Sequence, residues 1–66
     1  MYVILNGENR EVPENTSVEQ LLEQFSLPRQ CIAIELNENV VRRKDWAEIN
    51  LSEADKIEVI HFVGGG

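Results

Sequence analysis

The first residues of the chain combine an apolar run with a turn signal, and together these predict a β-hairpin. Tyr2 to Asn6 is a β-type run, and Asn6-Gly7 favours a tight turn because both residues tolerate a positive φ. A second short strand, at about Arg10 to Val12, is expected to pair back on the first. Pro13 closes this strand because proline has no N–H to donate to a ladder.

The next segment has the periodicity of an amphipathic helix that ends at about Phe25. Its apolar residues follow the spacing i, i+3, i+4 and i+7 and are Val18, Leu21, Leu22 and Phe25. Thr16 and Glu19 have the spacing of a capping box, in which each side chain satisfies a backbone N–H at the start of the helix. Pro28 prevents the helix from continuing.

Strand-like alternation returns in the second half of the chain. Cys31 to Leu36 places Ile32, Ile34 and Leu36 on one side. Asn37 to Asn39 predicts a turn into a brief strand, Val40-Val41. Residues 42–56 carry charges and turn formers, with a short helical turn near Asp45 to Glu48, and their expected anchors to the core are Trp46, Ile49 and Leu51. A last strand is predicted from Ile57 to Val63.

This order of elements predicts an α+β protein with the β-grasp fold. A hairpin, a helix and further strands are typical of a mixed sheet, here of four to five strands, with one face covered by one main helix. In this fold the last strand lies parallel to the first, a pairing that requires a long crossover connection. We expect a single domain over residues 1–63 and a flexible tail over residues 64–66.

Strand phase assigns every strand residue to one face of the sheet. Glu58, Glu35 and Asn6 mark the solvent side. In phase with them are the residues of a candidate partner patch, Tyr2, Ile4, Ala33, Ile60 and Phe62, together with Cys31. If the first, third and last strands are neighbours, these residues form an exposed apolar patch beside the tail, and such patches commonly mark protein contact sites. A covering loop, or a bulge that shifts the phase, is the alternative.

The sequence ends in Gly64, Gly65 and Gly66, directly after an apolar strand. Glycine has no Cβ, so three in succession can enter a narrow channel in another protein where a larger residue would clash. Three extended residues reach on the order of 10 Å. This pattern favours a carboxylate that is presented to a partner enzyme. The alternative is that the glycines are only frayed linker residues.

The acidic composition narrows the choice of partner. Twelve acidic residues against six basic ones give the 66-residue chain a formal net charge of −6. Such a chain repels phosphate backbones, so a protein with a basic docking face is favoured over nucleic acid, although solubility alone also explains the charge. No apolar stretch approaches the roughly 18 residues of a membrane span, and we expect a cytoplasmic monomer without a membrane partner.

Candidate catalytic groups are few. His61 and Cys31 are the only histidine and the only thiol, no spacing brings them together, and phosphate-loop and metal-binding motifs are absent from the sequence. We therefore expect no enzymatic activity, no metal and no bound cofactor. The terminal carboxylate is ionised at neutral pH and can attack the α-phosphate of ATP when a partner enzyme positions it. The resulting acyl-adenylate accepts sulfur.

Several segments, in this order and over essentially the whole chain, resemble the ThiS sulfur carriers of thiamine biosynthesis, which are ubiquitin-like β-grasp proteins. The first-half segments are Asn6-Gly7 and Thr16 leading into Val18-Glu19-Gln20-Leu21-Leu22. The second-half segments are Ala33-Ile34-Glu35-Leu36-Asn37, Val41-Arg42 followed by Trp46, Asp55-Lys56-Ile57-Glu58-Val59-Ile60, and Val63-Gly64-Gly65-Gly66. One departure is Ala54, where the family commonly has glycine.

The resemblance implies that Gly66 is the modified residue and that Gly64 and Gly65 are needed for entry of the tail into a partner site. It implies adenylation by a ThiF-like enzyme that uses ATP, sulfur supplied by a sulfur-donating enzyme, and transfer from a C-terminal thiocarboxylate to a ThiG-like thiazole synthase. One rival is a MoaD-like small subunit of molybdopterin synthase, which tends to be longer and to have proline before its glycines. Another is a non-covalent β-grasp binding module of the RNA-associated type, against which the charge argues.

Overall fold

The computed structural model describes residues 1–63, which form five β-strands, one α-helix and one 3₁₀ turn. The strands are β1 (Tyr2–Leu5), β2 (Glu8–Glu11), β3 (Ile32–Leu36), β4 (Asn39–Val41) and β5 (Lys56–His61), and the helix is α1 (Val18–Gln24). They form one mixed sheet in the order β2-β1-β5-β3-β4. This arrangement confirms the predicted β-grasp fold.

The hairpin is built on the predicted turn, but its second strand lies earlier than predicted. Asn6 (φ 49°) and Gly7 (φ 83°) make a two-residue turn, and Leu5 lies opposite Glu8. The expectation of a strand at about Arg10 to Val12 was therefore wrong at its start, because a two-residue turn brings Glu8 directly into the ladder. Val12 follows the strand and is buried, and its N–H donates to the Met1 carbonyl at 2.8 Å.

The helix begins with a capping box, one residue later than predicted. Ser17 is the N-cap: its hydroxyl accepts from the Gln20 N–H at 3.1 Å, and the Gln20 side chain accepts from the Ser17 N–H at 3.0 Å. The assignment of this role to Thr16 and Glu19 was wrong. The Thr16 hydroxyl donates instead to the Pro13 carbonyl at 2.6 Å. Phe25 is the C-cap, so the predicted end of the helix is confirmed to within a residue.

The parallel pairing of the last strand with the first is confirmed. β5 lies between β1, to which it is parallel, and β3, to which it is antiparallel. It begins at Lys56 and ends at His61, two residues before the predicted end. The 3₁₀ turn, Arg43–Asp45, also begins two residues before the predicted helical turn.

One face of the sheet packs against the helix to form the core. The fully buried side chains come from both layers and are Val3, Val12, Val18, Leu21, Leu22, Ile34 and Ile57. The predicted anchors hold the segment between β4 and β5: Trp46 and Leu51 are buried, and Ile49 is partly buried against them. The Trp46 indole N–H donates to the Val41 carbonyl at 3.1 Å, which satisfies its only polar group. No helix within residues 1–63 has the length and apolar character needed to span a membrane.

Candidate functional site

The last strand occupies a central position in the sheet, and residues 64–66 follow its far end. After β5 ends at His61, the Phe62 N–H still donates to the Cys31 carbonyl at 3.0 Å. Val63 is 95% exposed. The predicted modified residue Gly66 and the predicted entry residues Gly64 and Gly65 lie outside the described residues. The described part of the site is therefore the sheet surface around the end of β5.

Beside this end, the solvent face of the sheet carries a small apolar cluster. Ile60 is 44% exposed and Phe62 is 53% exposed, and Ala33 lies directly opposite Ile60 on the neighbouring strand. Cys31, which precedes β3, is exposed as well. We call Ala33, Ile60 and Phe62 the tail-end patch. The strand phase that predicted these residues on the solvent side agrees with their burial.

The other two residues of the candidate partner patch lie farther from the tail. Ile4 is level with Lys56, the first residue of β5, whereas Ile60 is near its last. Tyr2 is farther still, since its carbonyl accepts from Ala54, which precedes β5. Tyr2 is 53% exposed and Ile4 is partly buried. The structure thus divides the five residues into two groups on the same face instead of one surface beside the tail.

Two glutamates, Glu35 and Glu58, which we call the charged row, separate the two groups. Glu35 on β3 lies directly opposite Glu58 on β5, and Val40 on the edge strand lies opposite Glu35. Like charges directly opposite one another across two strands destabilise a sheet. Neither carboxylate forms an ion pair within residues 1–63. The row therefore leaves two adjacent negative charges facing solvent.

An open depression of about 340 Å³ joins the charged row to both apolar groups. Its lining residues include Ile4, Glu35, Glu38, Lys56, Glu58 and Ile60. Three carboxylates and one ammonium group therefore surround a space that is bounded at each end by an isoleucine. The sequence marked Glu35 and Glu58 only as solvent-side residues, because period-two alternation gives the face of a residue and not its neighbour across the ladder.

Asn6 connects the hairpin turn to the last strand. Its side-chain carbonyl accepts from the Val59 N–H at 2.8 Å, and its own N–H donates to the Ile57 carbonyl at 2.9 Å. Asn6 has a positive φ of 49° and follows β1 directly. The Asn6-Gly7 signal predicted the turn, but it carried no information on this long-range contact.

The two candidate catalytic side chains do not form a catalytic pair in the described fold. His61 lies opposite Ile32 and is in phase with the core-facing residues Ile57 and Val59, whereas Cys31 precedes β3. No hydrogen bond joins them. Within residues 1–63 no three His, Cys, Asp or Glu side chains converge as metal ligands would.

The chain is similar to known proteins over its whole length. The model of the ThiS family matches residues 3–66. The sulfur carrier protein ThiS of Bacillus subtilis is 32% identical over 63 residues, which are 94% of this chain and 96% of that protein. A crystal structure of the thiamine biosynthesis protein ThiS from Geobacter metallireducens superposes with a TM-score of 0.87, with 28% identity and 100% of both chains covered.

Longer proteins contain a similar segment. The thiazole synthase of Paramagnetospirillum magneticum is 32% identical over 66 residues, and that of Magnetococcus marinus is 39% identical over the same length. Each match covers 100% of this chain but only 20% of the synthase. The chain therefore spans about a fifth of the length of these two relatives.

Proposed function

The chain belongs to the ThiS family, and on this premise we propose that it is a sulfur carrier protein of thiamine biosynthesis. The observation that carries the proposal is the family match over residues 3–66, which includes both the β-grasp body and the glycine segment. The end-to-end superposition on a ThiS structure supports the same conclusion.

The proposed reaction centre is the carboxylate of Gly66. Bound to an adenylating enzyme, one carboxylate oxygen attacks the α-phosphorus of ATP, and pyrophosphate leaves. A sulfur nucleophile, formally hydrosulfide, then attacks the carbonyl carbon of the acyl-adenylate. AMP departs with the electron pair of the cleaved C–O bond, and a C-terminal thiocarboxylate remains. The carrier's own residues position the carboxylate, and the partner supplies the groups that stabilise charge.

The composition of the glycine segment supports this role. Gly64, Gly65 and Gly66 have no side chains that would obstruct a narrow site in another protein. The body that precedes them ends in an ordered pairing between Phe62 and Cys31. A stable body joined to a thin segment is what delivery of a carboxylate into a partner site requires.

Three partners follow from the proposed reaction. A ThiF-like enzyme uses ATP to adenylate Gly66, a sulfur-donating enzyme supplies the sulfur, and a ThiG-like thiazole synthase receives it. The third is supported by the two thiazole synthases that contain a segment similar to this chain. The chain itself acts as a protein substrate, not as an enzyme, and its proposed location is the cytoplasm, where ATP is available.

The docking surface that we propose for these partners is the tail-end patch together with the charged row. The patch offers exposed apolar area close to residues 64–66. Glu35 and Glu58 offer negative charge, which matches a partner surface that carries lysine or arginine. Apolar contact provides binding energy while the charges orient the complex.

Replacing Gly66 by tryptophan tests the proposal. A side chain at this position obstructs the proposed site and displaces the carboxylate, so ATP–pyrophosphate exchange by the ThiF-like enzyme should fall about a hundredfold or more. Gly66→Ala is the conservative comparison and should retain more activity than Gly66→Trp. Unchanged exchange with Gly66→Trp contradicts the proposed reaction centre. Circular dichroism provides the control that the body is folded in all three proteins.

A further inference from the structure

The last strand extends beyond the strand that covers one of its sides. β1 pairs with β5 only at Ile4 with Lys56 and at Leu5 with Ile57. β5 continues to His61, and its other side is paired with β3 from Ile57 to His61. The end of β5 that leads to residues 64–66 is therefore an edge on the β1 side.

Hydrogen bonds show which backbone groups face this edge. The Asp55 and Ile57 carbonyls accept from β1 and its turn, at 2.8 and 2.9 Å, and the Phe62 N–H donates to the opposite side. Successive residues of a strand point their backbone groups to alternate sides. The backbone N–H and carbonyl groups of Val59 and His61 therefore point to the β1 side, as those of Ile57 do.

Asn6 closes the internal ladder at this edge. Its side-chain carbonyl accepts from the Val59 N–H at 2.8 Å. A backbone carbonyl would accept this bond if β1 continued alongside β5. The pairing of β1 with β5 ends at Leu5 with Ile57, so the Val59 carbonyl and the N–H and carbonyl of His61 have no ladder partner on this side among residues 1–63, and no turn or side-chain hydrogen bond reaches them. Unpaired groups in a row at a sheet edge are a template for an added strand.

We propose that an extended segment of the adenylating enzyme adds to this edge as a strand and pairs with His61. The inference rests on the proposed function, and it deepens it by naming a main-chain contact that sets the direction of the chain before Gly64. The edge is continuous with the tail-end patch, since Ile60 and Phe62 flank His61. Three open backbone groups are too few to hold two copies of this chain together without further buried area, which favours a partner that already docks nearby.

Removing a single N–H tests the contact. In a chemically synthesised chain, the amide bond between Ile60 and His61 is replaced by an ester, so that an oxygen atom stands in place of the His61 N–H. This change removes the proposed donor and keeps every side chain. We expect the KM for the carrier in ATP–pyrophosphate exchange to rise about three- to tenfold, as loss of one interfacial hydrogen bond predicts. A KM unchanged from that of the wild-type chain would overturn the proposal.

An ester at Asn9 is the matched control. Met1 and Val12 exchange two backbone hydrogen bonds. Hydrogen-bonded pairs alternate along an antiparallel ladder, so Val3 with Arg10 and Leu5 with Glu8 are also such pairs. The N–H of Asn9, which lies between Glu8 and Arg10, therefore points to the outer edge of β2. Each ester also makes the carbonyl of the preceding residue a weaker hydrogen-bond acceptor. In both cases this carbonyl, of Ile60 or of Glu8, accepts from a neighbouring strand of the same sheet, so the control matches this side effect. The Asn9 ester should therefore leave the KM unchanged. An equal rise for both esters would contradict a contact specific to His61.

Hydrogen exchange separates this contact from the proposed reaction. In the complex of the wild-type chain with the adenylating enzyme, exchange of the His61 amide should slow at least about tenfold. If the enzyme binds and the His61 amide is not protected, the edge contact is wrong even when Gly66 is adenylated. If the amide is protected and no adenylate forms, the contact stands and the proposed reaction fails. Protection of His61 in the free chain that increases with its concentration would assign the edge to a second copy and overturn the proposal.

Discussion

Ala54, shortly before the last strand, adopts a backbone conformation that residues with a side chain disfavour. Its φ is 68°, in the left-handed region where a Cβ crowds the following carbonyl oxygen. The conformation is held in place because the Ala54 N–H donates to the Tyr2 carbonyl at 2.7 Å, and Ser52 and Asp55 close the turn around it. The resemblance placed a glycine at this position in related proteins, and the geometry gives the physical reason.

Replacing Ala54 by glycine should therefore stabilise the protein. Removal of the Cβ relieves about 1–2 kcal/mol of strain, and the greater freedom of glycine in the unfolded chain offsets about 0.4–1 kcal/mol of this gain. We expect the free energy of unfolding in urea to increase by about 0.5–1 kcal/mol. Ala47→Gly is the matched control: Ala47 is exposed and has no positive φ, so this change should lower stability. A loss of stability in both variants would contradict the strain at Ala54.

Other residues with positive φ differ in how well the sequence marks them. Asn6 and Asn37 have φ values of 49° and 51°, and asparagine is a residue type that favours this region. Cys31 and Glu38, at 60° and 72°, are residue types that carry no such signal. Glu38 nevertheless lies in the turn that its asparagine neighbours predict, whereas nothing in the sequence around Cys31 marks its positive φ. Local composition therefore predicts the turns rich in asparagine and glycine and misses the backbone conformation of Cys31.

At the scale of elements, the sequence predicted the type of every element better than its boundaries. The capping box was displaced by one residue because Thr16-Ser17 offers two N-cap residues in succession, and Glu19-Gln20 offers two reciprocal acceptors. Hydrogen bonds in the folded chain distinguish them: the Thr16 hydroxyl donates to the Pro13 carbonyl, and the Ser17 hydroxyl caps the helix. β2 was displaced because all four of its residues are polar and exposed, so period-two alternation is absent.

The pairing of β3 with β5 leads to a prediction about Glu58. Replacing Glu58 by glutamine removes one of two opposed carboxylates, so the free energy of unfolding should rise by about 0.2–1 kcal/mol. If the charged row docks a basic partner surface, the same change should raise the KM for the carrier in the adenylation assay. Urea unfolding and ATP–pyrophosphate exchange measure the two effects.

Glu48→Gln is the control for Glu58→Gln. Glu48 is exposed in the segment that follows the 3₁₀ turn, away from β3 and β5, and the substitution changes the net charge equally. It should leave both the stability and the KM near those of the wild-type chain. If Glu58→Gln is neutral or destabilising, the cross-strand repulsion is wrong. If its KM is unchanged, the charged row is not part of the docking surface.

At the scale of the whole molecule, the sequence predicted the order of the strands and the face of the sheet on which each residue lies. It did not predict the register between neighbouring strands. Element order and the long connection between the hairpin and β5 indicated a parallel first and last strand. Period two then gave the solvent face of Ile4 and Ile60. It could not show that the parallel register of β1 and β5 sets Ile4 against Lys56, near the opposite end of β5 from Ile60. For that reason the predicted patch is divided by Glu58.

The central claim, that the body carries a sulfur at its final glycine, is tested most directly by the intact mass of the protein from its native host. The protein should be isolated from cells that are making thiamine, with the mass measured before any reducing or alkylating step. The account predicts a species heavier than the free acid by the difference between one sulfur and one oxygen atom, with fragmentation placing that difference at Gly66. Finding only the unmodified acid in such cells would contradict it.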